Sequence, residues 1–379
     1  MSARAQQLLT LGQSVWLDFI RRGPLVSGEF DRQVAEDGVV GVTSNPTIFQ
    51  QAIAKSTDYD TALAAAIAKG LEGEALFEAL AIEDIQMACD RMRAVYDGSK
   101  GLDGRVSIEV SPRLAHDSAG TLAAAKRLHA AVARENVMIK IPATAAGLPA
   151  ITGAIAAGIS VNVTLIFSLA RYAEVMEAYL LGLEQRAAAG GDLSHIRSVA
   201  SFFISRVDSK VDAAIDARAA TLPAGSTERA ELESLRGKAA VANARLAYAA
   251  FEQVFGAARF KTLAAKGAHV QRPLWASTST KNPTYRDVLY VEELIGPDTV
   301  NTIPPATLVA FNDHGVVEAR IRNSMDEARA LFGKLNALGV PVESLIDQLE
   351  GEGVVAFEKS YDDLLGAIET RRRQDASKG

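Results

Sequence analysis

The chain has 379 residues and a net charge of −6 at pH 7, because its 46 acidic side chains outnumber its 40 lysines and arginines. General nucleic-acid and membrane-surface binders carry a basic excess, so the charge argues against both, although a local basic pocket for a small phosphate stays compatible with it. Hydrophobic residues make up 48% of the chain, which is typical of a domain with a large core.

The single cysteine, Cys89, excludes an internal disulfide and a cysteine-rich metal site. The five histidines are scattered along the chain. No stretch reaches the roughly 18 consecutive apolar residues of a transmembrane helix, and residues 1–10 lack the pattern of a secretion signal. We therefore expect a soluble, cytoplasmic protein.

Short β-rich runs alternate with longer, alanine-rich helical runs. We predict eight strands, at residues 14–19, 39–43, 105–110, 137–141, 160–165, 198–203, 273–277 and 299–303. Several are almost entirely apolar, as in parallel strands covered on both faces. Eight strand–helix units predict an α/β fold, a (β/α)8 TIM barrel that forms one domain over residues 1–379. An open doubly wound sheet stays possible, although the chain lacks a G-x-G-x-x-G turn between strand and helix.

The helical runs include residues 118–134 and 168–187, where apolar side chains recur at helical spacing. The stretch of about 208–268 is too long for one crossover helix, and a turn cluster at 222–226 divides it. We therefore predict an insertion of two or three helices after strand 6. We expect residues 315–339 and 344–370 to close the chain as helices, and the polar tail at about 371–379 to be frayed.

In a (β/α)8 barrel the active site lies at the carboxyl ends of the strands. Seven of the eight predicted strands end near polar or charged groups, and the eighth offers only Asn301 and Thr302. In strand order, the candidate residues are Asp18; Thr43 and Asn45; Glu109; Lys140; Asn162 and Thr164; Ser201, Phe203 and Arg206; and Ser277, Ser279 and Lys281.

Lys140 is the most informative of these residues, because it interrupts an apolar strand between Ile139 and Ile141. A buried lysine is costly unless it is paired or neutral. Burial favours the neutral amine, which can attack a carbonyl. For a lone lysine, two structural roles are favoured over a nucleophilic one. The side chain could reach solvent at the strand end, or it could form a structural pair with a carboxylate.

Two carboxylates at strand ends, Asp18 and Glu109, could move the protons that Schiff-base chemistry requires. Either could equally be an ion-pair partner of Arg113. Asn45 and Asn162 could bind sugar hydroxyls or act as turn and cap residues. A further set could together hold a phosphate, although each member alone is better explained as solvated or structural: Arg206, Ser277, Ser279 and Lys281.

Five segments, in this order, resemble the transaldolase family of the longer bacterial kind. They are GVTSNPTIF at 41–49, SIEV at 107–110, VMIKIPAT at 137–144, ISVNVTLIFS at 159–168 and WASTSTKNP at 275–283. The resemblance implies a class I aldolase barrel in which Lys140 forms an imine with a ketose phosphate such as sedoheptulose 7-phosphate. It implies that Asp18 is the acid/base in carbon–carbon cleavage, and that Glu109 and Thr164 position the water of imine formation and hydrolysis.

The resemblance also implies the binding residues and the reaction. A dihydroxyacetone unit passes to glyceraldehyde 3-phosphate, giving fructose 6-phosphate and erythrose 4-phosphate in the non-oxidative pentose phosphate pathway. No metal or organic cofactor is implied, nor any nucleic-acid or membrane partner, and monomer and homodimer both stay open. The substrate contacts would be Thr43, Asn45, Asn162, Ser201 and Phe203, with Arg206 and Ser277 at the phosphate.

The sequence departs from the family pattern at one position of the expected phosphate site. Many family members have an arginine two residues after the serine that matches Ser277, and this chain has Ser279 there. We expect Lys281 to supply part of the missing positive charge.

Three other functions compete with transfer. A fructose-6-phosphate aldolase would cleave without transfer, but that branch typically has glutamine where Glu109 lies and tyrosine where Phe203 lies. A metal-dependent sugar isomerase or aldolase would need histidines and carboxylates clustered at strand ends, and the histidines do not fall there. A non-catalytic barrel would not need to keep the whole strand-end set.

Overall fold

The computed structural model describes residues 3–376. Within them, eight parallel strands form a closed barrel in which each strand pairs with its neighbours in sequence, and β1 pairs with β8. This confirms the predicted barrel. The strands are β1 (Gln13–Leu17), β2 (Gly41–Val42), β3 (Arg105–Glu109), β4 (Val137–Pro142), β5 (Val161–Ile166), β6 (Ser198–Phe203), β7 (Gln271–Ala276) and β8 (Thr299–Ile303).

Strand register sets the positions of the candidate site residues. Glu109 at the end of β3 lies opposite Lys140 on β4, and Lys140 lies opposite Asn162 on β5. Nearly every strand residue is buried, because helices cover the outside of the barrel and side chains fill its interior. The three side chains therefore meet inside the barrel, near the carboxyl ends of the strands.

The described residues also form eighteen α-helices, and none of them is both long and apolar enough to cross a membrane. They are α1 (Arg4–Leu8), α2 (Arg22–Ser27), α3 (Glu29–Glu36), α4 (Pro46–Lys55), α5 (Asp60–Ala68), α6 (Gly73–Arg91), α7 (Arg93–Gly98), α8 (Ser118–Val132), α9 (Gly147–Ala156), α10 (Leu169–Ala188), α11 (Ser205–Ala220), α12 (Thr227–Glu233), α13 (Ala239–Gly256), α14 (Ala258–Ala264), α15 (Leu289–Glu293), α16 (Pro305–His314), α17 (Met325–Ala337) and α18 (Val342–Ala376).

The stretch after β6 holds four of these helices, α11 to α14, where the sequence predicts two or three. The turn cluster at 222–226 does separate α11 from α12. Asp208 links α11 to α13 and α15. Its carboxylate accepts hydrogen bonds from the Ala240 backbone N–H at 2.7 Å and from the Tyr290 hydroxyl at 2.8 Å. Burial raises the pKa of this carboxyl to about 7.

Two predictions near the end of the chain are wrong. Residues 315–324 are not helical, because their backbone donors bond outside any helix: Val316 N–H to Glu292 Oε1 at 2.8 Å, and Arg320 N–H to Ile295 O at 2.9 Å. The tail is helical through Ala376 instead of frayed from 371, and the Arg371 guanidinium donates to Ile53 O at 2.5 Å. Residues 377–379 lie outside the described part of the chain.

Candidate active site

A cavity of about 390 Å³ opens at the carboxyl ends of the strands. Eleven predicted site residues line it: Asp18, Thr43, Asn45, Lys140, Thr164, Ser201, Phe203, Arg206, Ser277, Ser279 and Lys281. The remaining two, Glu109 and Asn162, lie directly behind the lining, where Glu109 contacts Lys140 and Asn162 contacts Ser201. The strand-end residues are therefore brought together as predicted.

Lys140 is buried, with only 4% of its surface exposed, so it does not reach solvent past the strand end. Its Nζ donates a hydrogen bond to Ser44 O at 3.1 Å and lies 3.3 Å from Glu109 Oε2. The lysine is therefore paired with a carboxylate, inside a cavity large enough for a small substrate. A purely structural ion pair does not require such a cavity.

Glu109 is the carboxylate of this pair, and its side chain is 6% exposed. Burial raises the pKa of Glu109, while the charge of Lys140 opposes the rise and that of Asp18 adds to it. Apart from its contact with Lys140, Glu109 Oε2 has no hydrogen bond among the described residues, and the buried Thr164 Oγ1 has none there either. Buried polar atoms in native proteins are nearly always hydrogen-bonded, so this pair suits a water or a substrate oxygen.

Asp18 directly follows β1, and its carboxylate accepts a hydrogen bond from Thr43 Oγ1 at 2.9 Å. Burial raises the pKa of Asp18, and the charge of Lys140 opposes that rise. A second acid/base group thus faces the same cavity as Lys140. The proposed ion pair with Arg113 does not form for either carboxylate, because Arg113 binds Asp362 at 2.6 Å.

A chain of hydrogen bonds fixes the Asn162 side chain behind the cavity wall. Ser201 Oγ donates to Asn162 Oδ1 at 2.7 Å, and Asn162 Nδ2 donates to Ser107 Oγ at 3.1 Å. Asn45 is the N-cap of α4, where its Oδ1 accepts from the Ile48 N–H at 3.0 Å, so the capping alternative is correct for this residue. Asn45 lines the cavity as well.

Two cations, Arg206 and Lys281, line the cavity. Arg206, in the first turn of α11, stacks on the Phe203 ring at 5.7 Å, and burial lowers its pKa. Burial also lowers the pKa of Lys281, and the positive charge of Arg206 lowers it further. Among the described residues, neither cation has a carboxylate within ion-pair distance. A dianion between them would relieve this repulsion.

The surrounding serines hold these groups in place. Lys281 Nζ donates to Ser279 Oγ at 2.7 Å, so the serine that replaces the expected arginine supports the lysine instead. Ser277 has a left-handed backbone, with φ of 58°, and its hydroxyl lies 2.8 Å from that of Ser205 at the start of α11. The β6 and β7 loops therefore meet at the two cations.

The sequence did not indicate Phe357, which also lines the cavity and belongs to α18. Apolar side chains recur at helical spacing along α18, and they predict a buried face without showing which surface it covers: Val354, Phe357, Tyr361, Leu364 and Ile368. Thr302 from β8 lines the cavity too, within 2.5 Å of Thr43 Oγ1.

Comparisons with known proteins agree with this geometry. The family model described as transaldolase/fructose-6-phosphate aldolase matches residues 15–368. A transaldolase of Frankia alni is 52% identical over 97% of both chains. Transaldolase 1 of Streptomyces coelicolor is 53% identical over 96% of this chain and 93% of its own length. A transaldolase of Mycolicibacterium smegmatis is 50% identical over 98% of this chain and 97% of its own. The chain therefore belongs to the transaldolase/fructose-6-phosphate aldolase family.

Proposed function

We propose that the protein is a transaldolase of the cytoplasm. It moves a dihydroxyacetone unit from sedoheptulose 7-phosphate to glyceraldehyde 3-phosphate, giving erythrose 4-phosphate and fructose 6-phosphate. The observation that carries the proposal is the buried pair of Lys140 and Glu109, 3.3 Å apart beside a cavity that Asp18 and two cations, Arg206 and Lys281, also line.

Imine formation starts at this pair. Glu109 accepts the proton that the Lys140 ammonium must lose before its amine attacks the ketone carbon of the substrate. The resulting carbinolamine then loses water. Glu109 Oε2, whose one close partner among the described residues is Lys140, and the unbonded Thr164 Oγ1 hold that water as it leaves and when it returns to hydrolyse the product imine.

Carbon–carbon cleavage needs a base on the other side of the imine. Asp18 takes the proton from the substrate hydroxyl beside the breaking bond, and the protonated imine accepts the electron pair as an enamine. The departing aldehyde carries the phosphate away. The next aldehyde repeats the steps in reverse, with Asp18 returning its proton to the new hydroxyl.

The other cavity residues bind the parts of the substrate that do not react. Asn162, Ser201 and Asn45 hydrogen-bond the dihydroxyacetone hydroxyls, while Thr43 holds Asp18 in place and Phe203 packs against the carbon chain. The phosphate lies between Arg206 and Lys281, with the Ser277 hydroxyl as a further donor. Charge-assisted hydrogen bonds of this kind are roughly twice as strong as neutral ones.

Replacing Lys281 with alanine should raise KM for a phosphorylated ketose about 10- to 100-fold, because one charge-assisted contact of about 1.5–3 kcal/mol is lost. The turnover number should change little, since the phosphate is bound equally before and during the reaction. Steady-state kinetics measure both values, with Lys266→Ala as the exposed-lysine control. An unchanged KM in Lys281→Ala would remove Lys281 from the phosphate site.

The family includes aldolases, which cleave without transfer, as well as transaldolases. The two activities must therefore be distinguished by experiment. Glu109 and Phe203 favour transfer, because the aldolase branch typically has glutamine and tyrosine there. With fructose 6-phosphate alone, a transaldolase keeps the three-carbon unit on the enzyme, and addition of erythrose 4-phosphate yields sedoheptulose 7-phosphate. Rapid, continuous release of free dihydroxyacetone without an acceptor would instead identify an aldolase.

A further inference from the structure

Helix α18 spans the carboxyl end of the barrel and is bonded to four of the segments that follow the strands. The bonds reach the first turns after β2, β3, β5 and β6: Thr47 to Ser360 at 2.9 Å, Arg113 to Asp362 at 2.6 Å, Arg171 to Glu350 at 2.8 Å, and Lys210 to Glu352. The helix is thus held over the cavity by partners on opposite sides of its mouth.

Phe357 is the side chain of this helix that reaches the reactive lysine. Its ring centre lies 5.8 Å from Lys140 Nζ, and the residue is buried in the cavity wall. One turn earlier, α18 packs so closely on the end of β5 that a Cβ on Gly353 would lie 3.1 Å from Leu165. One turn later, Tyr361 packs edge-on against Phe77. The ring is therefore fixed in position from both sides along the helix.

The enamine left on Lys140 after cleavage has two fates. Its nucleophilic carbon can attack the carbonyl carbon of an acceptor aldehyde, which forms a new carbon–carbon bond and completes transfer. Alternatively, that carbon takes a proton from water and becomes an imine. A second water then adds to the imine carbon, the carbon–nitrogen bond breaks, and free dihydroxyacetone leaves with the Lys140 amine restored.

We propose that Phe357 determines the choice between these fates by keeping bulk water away from the enamine carbon, which lies two bonds from Lys140 Nζ. This inference rests on the proposed transaldolase function. An apolar ring with its centre 5.8 Å from the amine offers no proton and fills cavity space that water would otherwise occupy on that side. The water needed for product release is held separately, between Glu109 and Thr164.

The test is the ratio of dihydroxyacetone release to transfer, measured with fructose 6-phosphate in the absence and presence of erythrose 4-phosphate. Phe357→Ala should raise this ratio at least about tenfold, because water enters where the ring was. Phe357→Leu keeps an apolar side chain and should stay within about threefold of the wild type. Val355→Ala on the same helix is the matched control, since Val355 is 65% exposed.

Glu350→Gln weakens the bond to Arg171 without touching the cavity, and it should raise the ratio by about two- to fivefold as the helix loosens. If Phe357→Ala does not fold, as judged by circular dichroism, Glu350→Gln decides the question. Unchanged ratios in folded Phe357→Ala, or in Glu350→Gln where the alanine variant is unfolded, would overturn the proposal.

Borohydride trapping separates the two proposals. A three-carbon adduct on Lys140 in the wild type and in Phe357→Ala, together with an unchanged ratio, contradicts only the role of Phe357. Absence of any adduct in the wild type contradicts the transaldolase function itself.

Discussion

Replacing Lys140 with methionine should abolish transfer, lowering the rate by at least about four orders of magnitude, because the amine that forms the imine is gone. Methionine fills a similar volume, so the cavity wall stays packed. Transfer assays at saturating substrate measure the loss, and Lys266→Met, an exposed-lysine variant, should keep wild-type activity. Retention of most of the activity in Lys140→Met would contradict the proposed mechanism.

The same substitution leaves Glu109 buried without its cation. Burial raises the pKa of Glu109 and only Lys140 opposes that rise, so the carboxyl should take up a proton and the fold should persist. A carboxyl with a raised pKa in the folded state stabilises the fold at low pH, and that stability is lost as pH rises through the raised value. Thermal unfolding should therefore show Lys140→Met losing stability, relative to the wild type, as the pH rises above the ordinary range of a carboxyl pKa.

Replacing Asp18 with asparagine should lower the transfer rate by about 10²- to 10⁴-fold, the usual contribution of a positioned acid/base group. Asparagine can still accept the hydrogen bond that Thr43 Oγ1 donates at 2.9 Å, so the geometry is preserved while the proton acceptor is lost. Asp326→Asn is the matched control, because that side chain is 99% exposed.

Trapping distinguishes this variant from one that merely binds poorly. Without a base for cleavage, Asp18→Asn should accumulate the imine of the intact ketose. Borohydride reduction in the presence of fructose 6-phosphate should then leave a six-carbon phosphorylated adduct on Lys140. A three-carbon adduct formed at the wild-type rate would show that another group performs the cleavage.

Strand-end chemistry was predictable from the sequence because a barrel brings the carboxyl ends of all its strands to one face. Once the β-rich runs are placed, Lys140, Asp18 and Thr164 must lie near one another, however far apart they are in sequence. The structure adds what the pattern does not contain, namely that Glu109 is the partner of Lys140 and that Arg113 turns outward to Asp362.

Features that depend on long-range packing were not predictable. Phe357 is separated from Lys140 by more than half of the chain, and its helical spacing shows a buried face without showing the surface beneath it. Residues 315–324 have helical composition, yet their backbone bonds to Glu292 and Ile295 outweigh that local preference. The tail beyond residue 370 is polar, and contacts with Ile53 and α5 keep it helical.

The most direct test of the account is borohydride reduction of the wild-type protein with fructose 6-phosphate, followed by peptide mass mapping. A reduced three-carbon adduct on Lys140 is the predicted result, because cleavage leaves the dihydroxyacetone unit on that amine. Absence of an adduct, or an adduct on another lysine such as Lys210, would contradict the central claim that this residue forms the Schiff base.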